Sequence, residues 1–100
     1  MPPRFKRLDI PLGDDTFDWD PAKSDSNLAK HGVDLASVRL MFRGRTLTRQ
    51  DTRRRGEVVH QALGQLGGHV IFAVYTMRAG RCRLISARFA SAEEVALYYA

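Results

Sequence analysis

The segment Val70-Ile71-Phe72-Ala73-Val74-Tyr75 constrains the fold more than any other part of the chain. As a strand it turns Val70, Phe72 and Val74 to one side and Ile71, Ala73 and Tyr75 to the other, so it is apolar on both. Such a strand belongs in the middle of a sheet whose two faces are covered. Gly67-Gly68 before it and Ala79-Gly80 after it leave room only for tight connections. These make antiparallel hairpins, because a parallel neighbour needs a crossover of about a dozen residues or more. Strands are therefore expected over 57–66, 69–76 and 81–89, and the alternating residues 45–49 add a fourth.

Before residue 45 the pattern is different. Thr16-Phe17-Asp18-Trp19 alternates as a short strand does, and Asp20-Pro21 is a helix start, with Asp20 as N-cap. That helix runs to about His31, where Gly32 supplies a left-handed stop. Asp34 caps a second helix over 35–42, with Leu35, Val38 and Phe42 as its buried stripe. Ser91 and Glu94 form a capping box that opens a short closing helix over 91–99. Residues 1–14 hold Pro2, Pro3, Pro11 and Gly13 with little periodicity, and are expected to be a flexible arm ahead of one domain over 15–100. The expected fold is α+β: two N-terminal helices, a four-stranded antiparallel meander and a short C-terminal helix.

A chain of 100 residues has room for one core. Its longest apolar run is six residues, so no membrane span is expected. No apolar stretch follows the basic N-terminus as in a secretory signal. Cys82 is the sole cysteine, which excludes an internal disulfide and a cysteine-rich zinc motif. A cytoplasmic location is the expectation, with no metal and no cofactor.

The net charge of +5 conceals a segregation. Residues 8–34 carry seven Asp against Lys23 and Lys30, a net of −5, whereas residues 39–88 carry eleven Arg against Asp51 and Glu57, a net of +9. Every basic residue of that second segment is Arg, whose planar fork pairs with phosphate through two bonds and stacks on bases. A polyanionic partner is the leading expectation, and an Arg-rich soluble surface is the alternative.

Several residues could carry chemistry. Lys23, Asn27 and His31 recur every four residues and line one face of the first helix, with Lys30 beside them. Either this face meets a phosphate backbone or a partner protein, or it is a solvated face held from within by Leu28 and Trp19. Strict alternation in the last strand puts Cys82, Leu84, Ser86 and Arg88 on one side, and Arg83, Ile85, Ala87 and Phe89 on the other. An Arg on an otherwise small or apolar face needs an anion, which Glu57, Glu94 or a bound phosphate would supply. Glu57 follows Arg53-Arg54-Arg55 and is either a general base kept ionised by them or a charge-balancing surface residue. Tyr98 lies on the face of Glu94, where it donates to phosphate or simply packs.

No glycine-rich phosphate loop, metal-ligand spacing or nucleophile elbow is present. What remains for an enzyme is a metal-free reaction on an anionic substrate. RNA offers one, because its own 2′-hydroxyl attacks the adjacent phosphate and the protein supplies only a base, an acid and cations.

Two blocks resemble a known family. Phe17-Asp18-Trp19-Asp20-Pro21-Ala22-Lys23, then Asn27 and Lys30-His31-Gly32-Val33, is similar to the opening of the BrnT toxins. Phe42, Glu57, Val74-Tyr75-Thr76, Arg78, Arg83-Leu84-Ile85-Ser86-Ala87-Arg88, Ala90, Glu94 and Tyr98 continue the likeness in order, so it covers 17–99. The resemblance implies a RelE-like fold and a ribonuclease toxin of a type II toxin–antitoxin system that inhibits translation. It implies neutralisation by a BrnA-type ribbon-helix-helix antitoxin in a hetero-oligomer, with operator DNA bound only through the antitoxin. On this reading Arg83, Arg88, Glu57, His31 and Tyr98 are the catalytic candidates. Lys23, Asn27, Lys30, Arg53, Arg54 and Arg55 are the RNA-binding ones. Two positions depart from the family pattern. Val59 stands where Glu-x-Arg is common, and Val95 follows Glu94 where Arg is common. Each departure removes a cation, so the second expectation is a catalytically weak or inactive module that binds antitoxin and modulates DNA binding.

Overall fold

The computed structural model describes residues 3–9, 12–52 and 56–100. Along them run β1 (Lys6–Arg7), a 3-10 turn (Asp14–Thr16), β2 (Phe17–Asp18), α1 (Pro21–His31), α2 (Leu35–Val38) and a 3-10 turn (Arg39–Arg43). Then come β3 (Leu47–Asp51), β4 (Val59–Leu66), β5 (His69–Arg78), β6 (Arg81–Phe89) and α3 (Ala92–Tyr99). The architecture is α+β, three helices on a mixed six-stranded sheet of order β1-β3-β4-β5-β6-β2. β5 lies inside that sheet, between β4 and β6.

The sheet corrects the four-stranded antiparallel expectation. β1 joins β3 antiparallel at one edge, and β2 joins β6 in parallel at the other. Both added strands have two residues, too few to show a period, so long-range pairing places them. The pair of N-terminal helices is corrected as well. The expected helix over 35–42 is α-helical only to Val38 and tightens to 3-10 geometry through Arg43. Met41 and Phe42 are adjacent yet both buried, and the tighter turn brings them inward together. The Thr46 hydroxyl donates to the Met41 carbonyl and ties off that end.

The helix ends follow local chemistry. The Asp20 carboxylate accepts from the Ala22 N–H, Gly32 closes α1 in the left-handed region at φ 79°, and the Asp34 carboxylate accepts from the Ser37 N–H. Ser91 and Glu94 exchange both bonds of a capping box at the start of α3.

Two apolar clusters sandwich the sheet. Under α1 and α2 lie Phe17, Leu35, Val38, Met41, Phe42, Ile71, Ala73, Tyr75, Cys82, Leu84 and Ala87. Under α3 lie Leu47, Val59, Leu63, Val70, Phe72, Val74 and Tyr98.

α1 has little apolar surface to bury, and hydrogen bonds hold it instead. The Ser24 hydroxyl accepts from the Leu35 N–H. Asn27 is buried, and its amide donates to the Val33 and Ala87 carbonyls while its carbonyl accepts from the Ala87 N–H. β2 pairs only with Cys82 and Arg83, so farther along β6 the Asn27 carboxamide does the work of a missing strand. The polar atoms of the Asn27 side chain thus already face backbone partners.

Candidate functional site

A bulge decides which residues share the open face of the sheet. Between β5 and β6 the register runs Phe72–Arg88, Ala73–Ala87, Val74–Ser86, then Tyr75–Leu84 and Thr76–Arg83, which leaves Ile85 as the extra residue. Facing residues of paired strands point the same way, so Arg83, Ser86 and Arg88 share the α3 side with Thr76, Val74 and Phe72. Strict alternation had put Arg83 and Arg88 on opposite sides; one inserted residue reverses that. Arg83 and Arg88 face positions four residues apart on β5, about 13 Å along the strand.

α3 covers only part of this side. Beyond it runs a row of arginines, three of them paired with carboxylates. Arg78 meets Glu57 at 2.8 Å, Arg83 meets Asp18 at 2.7 Å, and Arg88 grips Glu94 with two bonds of 2.7 and 2.9 Å. The Arg88 guanidinium also lies over the Phe72 ring, 4.1 Å from its centroid. Glu57 therefore stands with Arg78, and not with Arg83 or Arg88 as the sequence left open.

These pairings set protonation. The Arg83 hydrogen bond holds the Asp18 carboxyl below its ordinary value against a smaller opposing effect of burial. Burial alone would push the Glu94 carboxyl up, but bonds from Arg88 and the Ser91 N–H outweigh it and bring it below the usual 4.5. The same Glu94 contact raises the Arg88 guanidinium further. Burial pushes the Cys82 thiol up to about 12, so it is no nucleophile.

Where α1 meets β6, Lys23, Lys30 and His31 line a hollow of about 200 Å³ with Ser26, Asn27, Ile85 and Ser86. Its floor residues, Ile85 and Ser86, lie between Arg83 and Arg88 on β6. The sequence thus grouped Lys23, Lys30 and His31, and the fold leaves all three exposed at the edge of this hollow. Tyr98 is elsewhere. It is buried, its hydroxyl donates to the Arg45 carbonyl, and the Arg45 guanidinium stacks on its ring. The hydroxyl thus clamps α3 to the residues just ahead of β3. Arg53, Arg54 and Arg55 lie outside the described residues.

A second hollow, of about 210 Å³, opens between β3 and α3. Arg49, Gln50, Asp51, Thr52, Gln61, Phe72, Arg88 and Glu94 line it. Sequence reading passed over Arg49 and Gln61. The available signal was an arginine two residues after Leu47 on β3 and an amide between Val59 and Leu63 on β4, each next to apolar residues of the same side.

The likeness seen in the sequence blocks extends over the folded core. The family described as "Ribonuclease toxin, BrnT, of type II toxin-antitoxin system" matches residues 19–94. The chain belongs to this family. The match runs from Trp19, just ahead of α1, to Glu94 in α3, and so includes both hollows and the arginine row. No curated protein and no solved structure matches the chain. Membership makes this a ribonuclease toxin of a type II system, with an antitoxin as partner. Among the described residues no helix is long and apolar enough to cross a membrane.

Proposed function

We propose that this toxin is an endoribonuclease that breaks RNA without a metal ion, at the hollow between α1 and β6. The observation that carries the proposal is the lining of that hollow. Lys23, Lys30 and His31 line it together with Ser86, and Arg83 and Arg88 lie to either side of Ser86 on the same side of β6. Cations spaced in this way suit successive phosphates of a single strand. The ribose 2′-oxygen attacks the adjacent phosphorus and its proton passes to the His31 imidazole. The bond to the 5′-oxygen breaks, and that oxygen takes a proton from solvent. The products carry a 2′,3′-cyclic phosphate and a 5′-hydroxyl. Arg83 and Arg88 hold the phosphates to either side and add positive potential at the phosphoryl group that reacts between them. Glu57 orients Arg78.

In this reading the fold is RelE-like, the RNA substrate places the protein in the cytoplasm, and cleavage inhibits translation. A BrnA-type ribbon-helix-helix antitoxin neutralises it in a hetero-oligomer, and operator DNA is bound through that antitoxin. Induced expression should arrest growth and degrade RNA, coexpressed antitoxin should relieve both, and purified protein should cut RNA in EDTA. Intact RNA and normal growth after induction would exclude the nuclease.

A second reading rests on a separate observation. Arg78, Arg83 and Arg88 are already paired with carboxylates. Val59 and Val95, at the two positions where the family often has Arg, pack into the apolar cluster under α3. A face so neutralised suits a module that binds antitoxin without cutting. Such a module leaves RNA whole while still forming the complex.

A further inference from the structure

We propose that Arg49 is a further substrate-binding residue, which holds an RNA phosphate in the hollow between β3 and α3. The inference rests on the nuclease reading and extends the RNA path across the sheet. Arg49 lies on β3 and faces Gln61 of β4, in the row that continues through Val74 to Ser86. That row joins the second hollow to the floor of the first, about 14 Å away over three strand spacings.

The side chain of Arg49 is built into place. Its Nε–H donates to the side-chain amide oxygen Oε1 of Gln61 at 2.8 Å, and Gln61 is only 4% exposed. Its guanidinium lies over the Phe5 ring, 4.0 Å from the centroid. One edge and one face of the fork are thus fixed before any ligand arrives, which lowers the ordering cost of binding. Its hydrogen-bond partner is uncharged, as are those of Arg45 and Arg81. Among the described residues Arg78, Arg83 and Arg88 pair with carboxylates, whereas Arg49 is held by a neutral amide. Of the carboxylates on the hollow, Glu94 is gripped by Arg88, and Asp51 is 5% exposed and has a partner. Arg49 thus brings a positioned positive charge to a hollow whose other described arginine is already neutralised. The two non-bridging oxygens of a phosphodiester offer it a bidentate acceptor.

The test uses the full-length protein and a short single-stranded RNA with 2′-O-methyl riboses, which binds but cannot be cut. Binding is followed by fluorescence anisotropy across a salt series. Arg49→Gln should weaken binding about tenfold and flatten the salt slope by about 0.7, the loss of one phosphate contact. Arg49→Lys, which keeps the charge without the fork, should keep the slope and lose part of the affinity. A merely structural Arg49 would leave the slope of folded Arg49→Gln protein unchanged, and that result overturns the inference. If Arg49→Gln does not fold, a flattened slope in Arg49→Lys overturns it equally. Loss of cleavage in Arg88→Ala beside an unchanged slope in Arg49→Gln sinks this inference alone. Failure of the unmodified protein to bind the RNA sinks the nuclease reading as well.

Discussion

Under α1 and α2 the sheet is closed by packing; under α3 it is closed by packing at one end and by ion pairs at the other. On the first side the polar groups are turned inward and paired. The Thr48 and Tyr75 hydroxyls bond at 2.7 Å, and Asn27 completes the backbone of β6. On the second side Leu63, Val70 and Phe72 meet Val95 and Tyr98, and then the apolar surface stops. Beyond it arginines from β3, β5 and β6 stand over an open surface. Burying one of them alone would be costly, so each leans on a carboxylate, an amide or an aromatic ring. One face therefore stores the stability of the fold, and the other keeps cations ordered while water still reaches them.

Substitutions on the two faces should separate activity from stability. The largest effect is expected at the hollow where α1 meets β6. His31→Ala should slow single-turnover cleavage by about 10²- to 10⁴-fold, the usual worth of a positioned proton-transfer group, and leave the melting temperature nearly unchanged. A normal rate would remove His31 from the chemistry. On the closed face, Asn27→Leu should strand the Ala87 N–H and the carbonyls of Ala87 and Val33. At about 1–3 kcal/mol for a stranded buried group, urea unfolding should show a loss of several kcal/mol, and a loss below about 1 kcal/mol would contradict the strand-like role of Asn27.

Tyr98→Phe sharpens the contrast, because it lies beneath the chemical face but serves the fold. Loss of its bond to the Arg45 carbonyl should cost about 1 kcal/mol in urea unfolding and leave the cleavage rate unchanged. A fall in rate without a fall in stability would place Tyr98 in the site. The smallest effect is expected from acid. The Glu94 and Asp18 carboxyls titrate below their ordinary values in the folded protein. The unfolded chain therefore takes up their protons first as pH falls. Stability that both contribute above about pH 4.5 should decline below it, and Glu94→Gln should flatten that part of the profile. An identical profile in the variant would show that the Arg88–Glu94 pair contributes nothing measurable.

Local chemistry was legible in the sequence wherever a residue type carries its own geometry. Asp20-Pro21, Gly32, Asp34 and the Ser91–Glu94 box set helix ends without help from distant residues. The doubly apolar run on β5 announced its interior position for the same reason. Features made by distant pairing were not legible. The edges at Lys6–Arg7 and Phe17–Asp18 exist because β3 and β6 offer them partners. The extra residue at Ile85 obeys no period, yet it decides that Arg83 and Arg88 share a face. Polar spacing on α1 showed which residues lie together but not which way they turn. Asn27 is buried and spends its amide on backbone partners, while Lys23, Lys30 and His31 stay exposed around the same hollow.

The decisive measurement is the chemistry of the RNA ends. Purified protein is incubated with a single-stranded RNA in EDTA, and the products are resolved by mass. Cleavage by the 2′-hydroxyl under arginine control predicts 2′,3′-cyclic phosphates and 5′-hydroxyls, abolished together in Arg83→Ala and Arg88→Ala. Linear 3′-hydroxyl and 5′-phosphate products, or cyclic ends that persist in both variants, would contradict it.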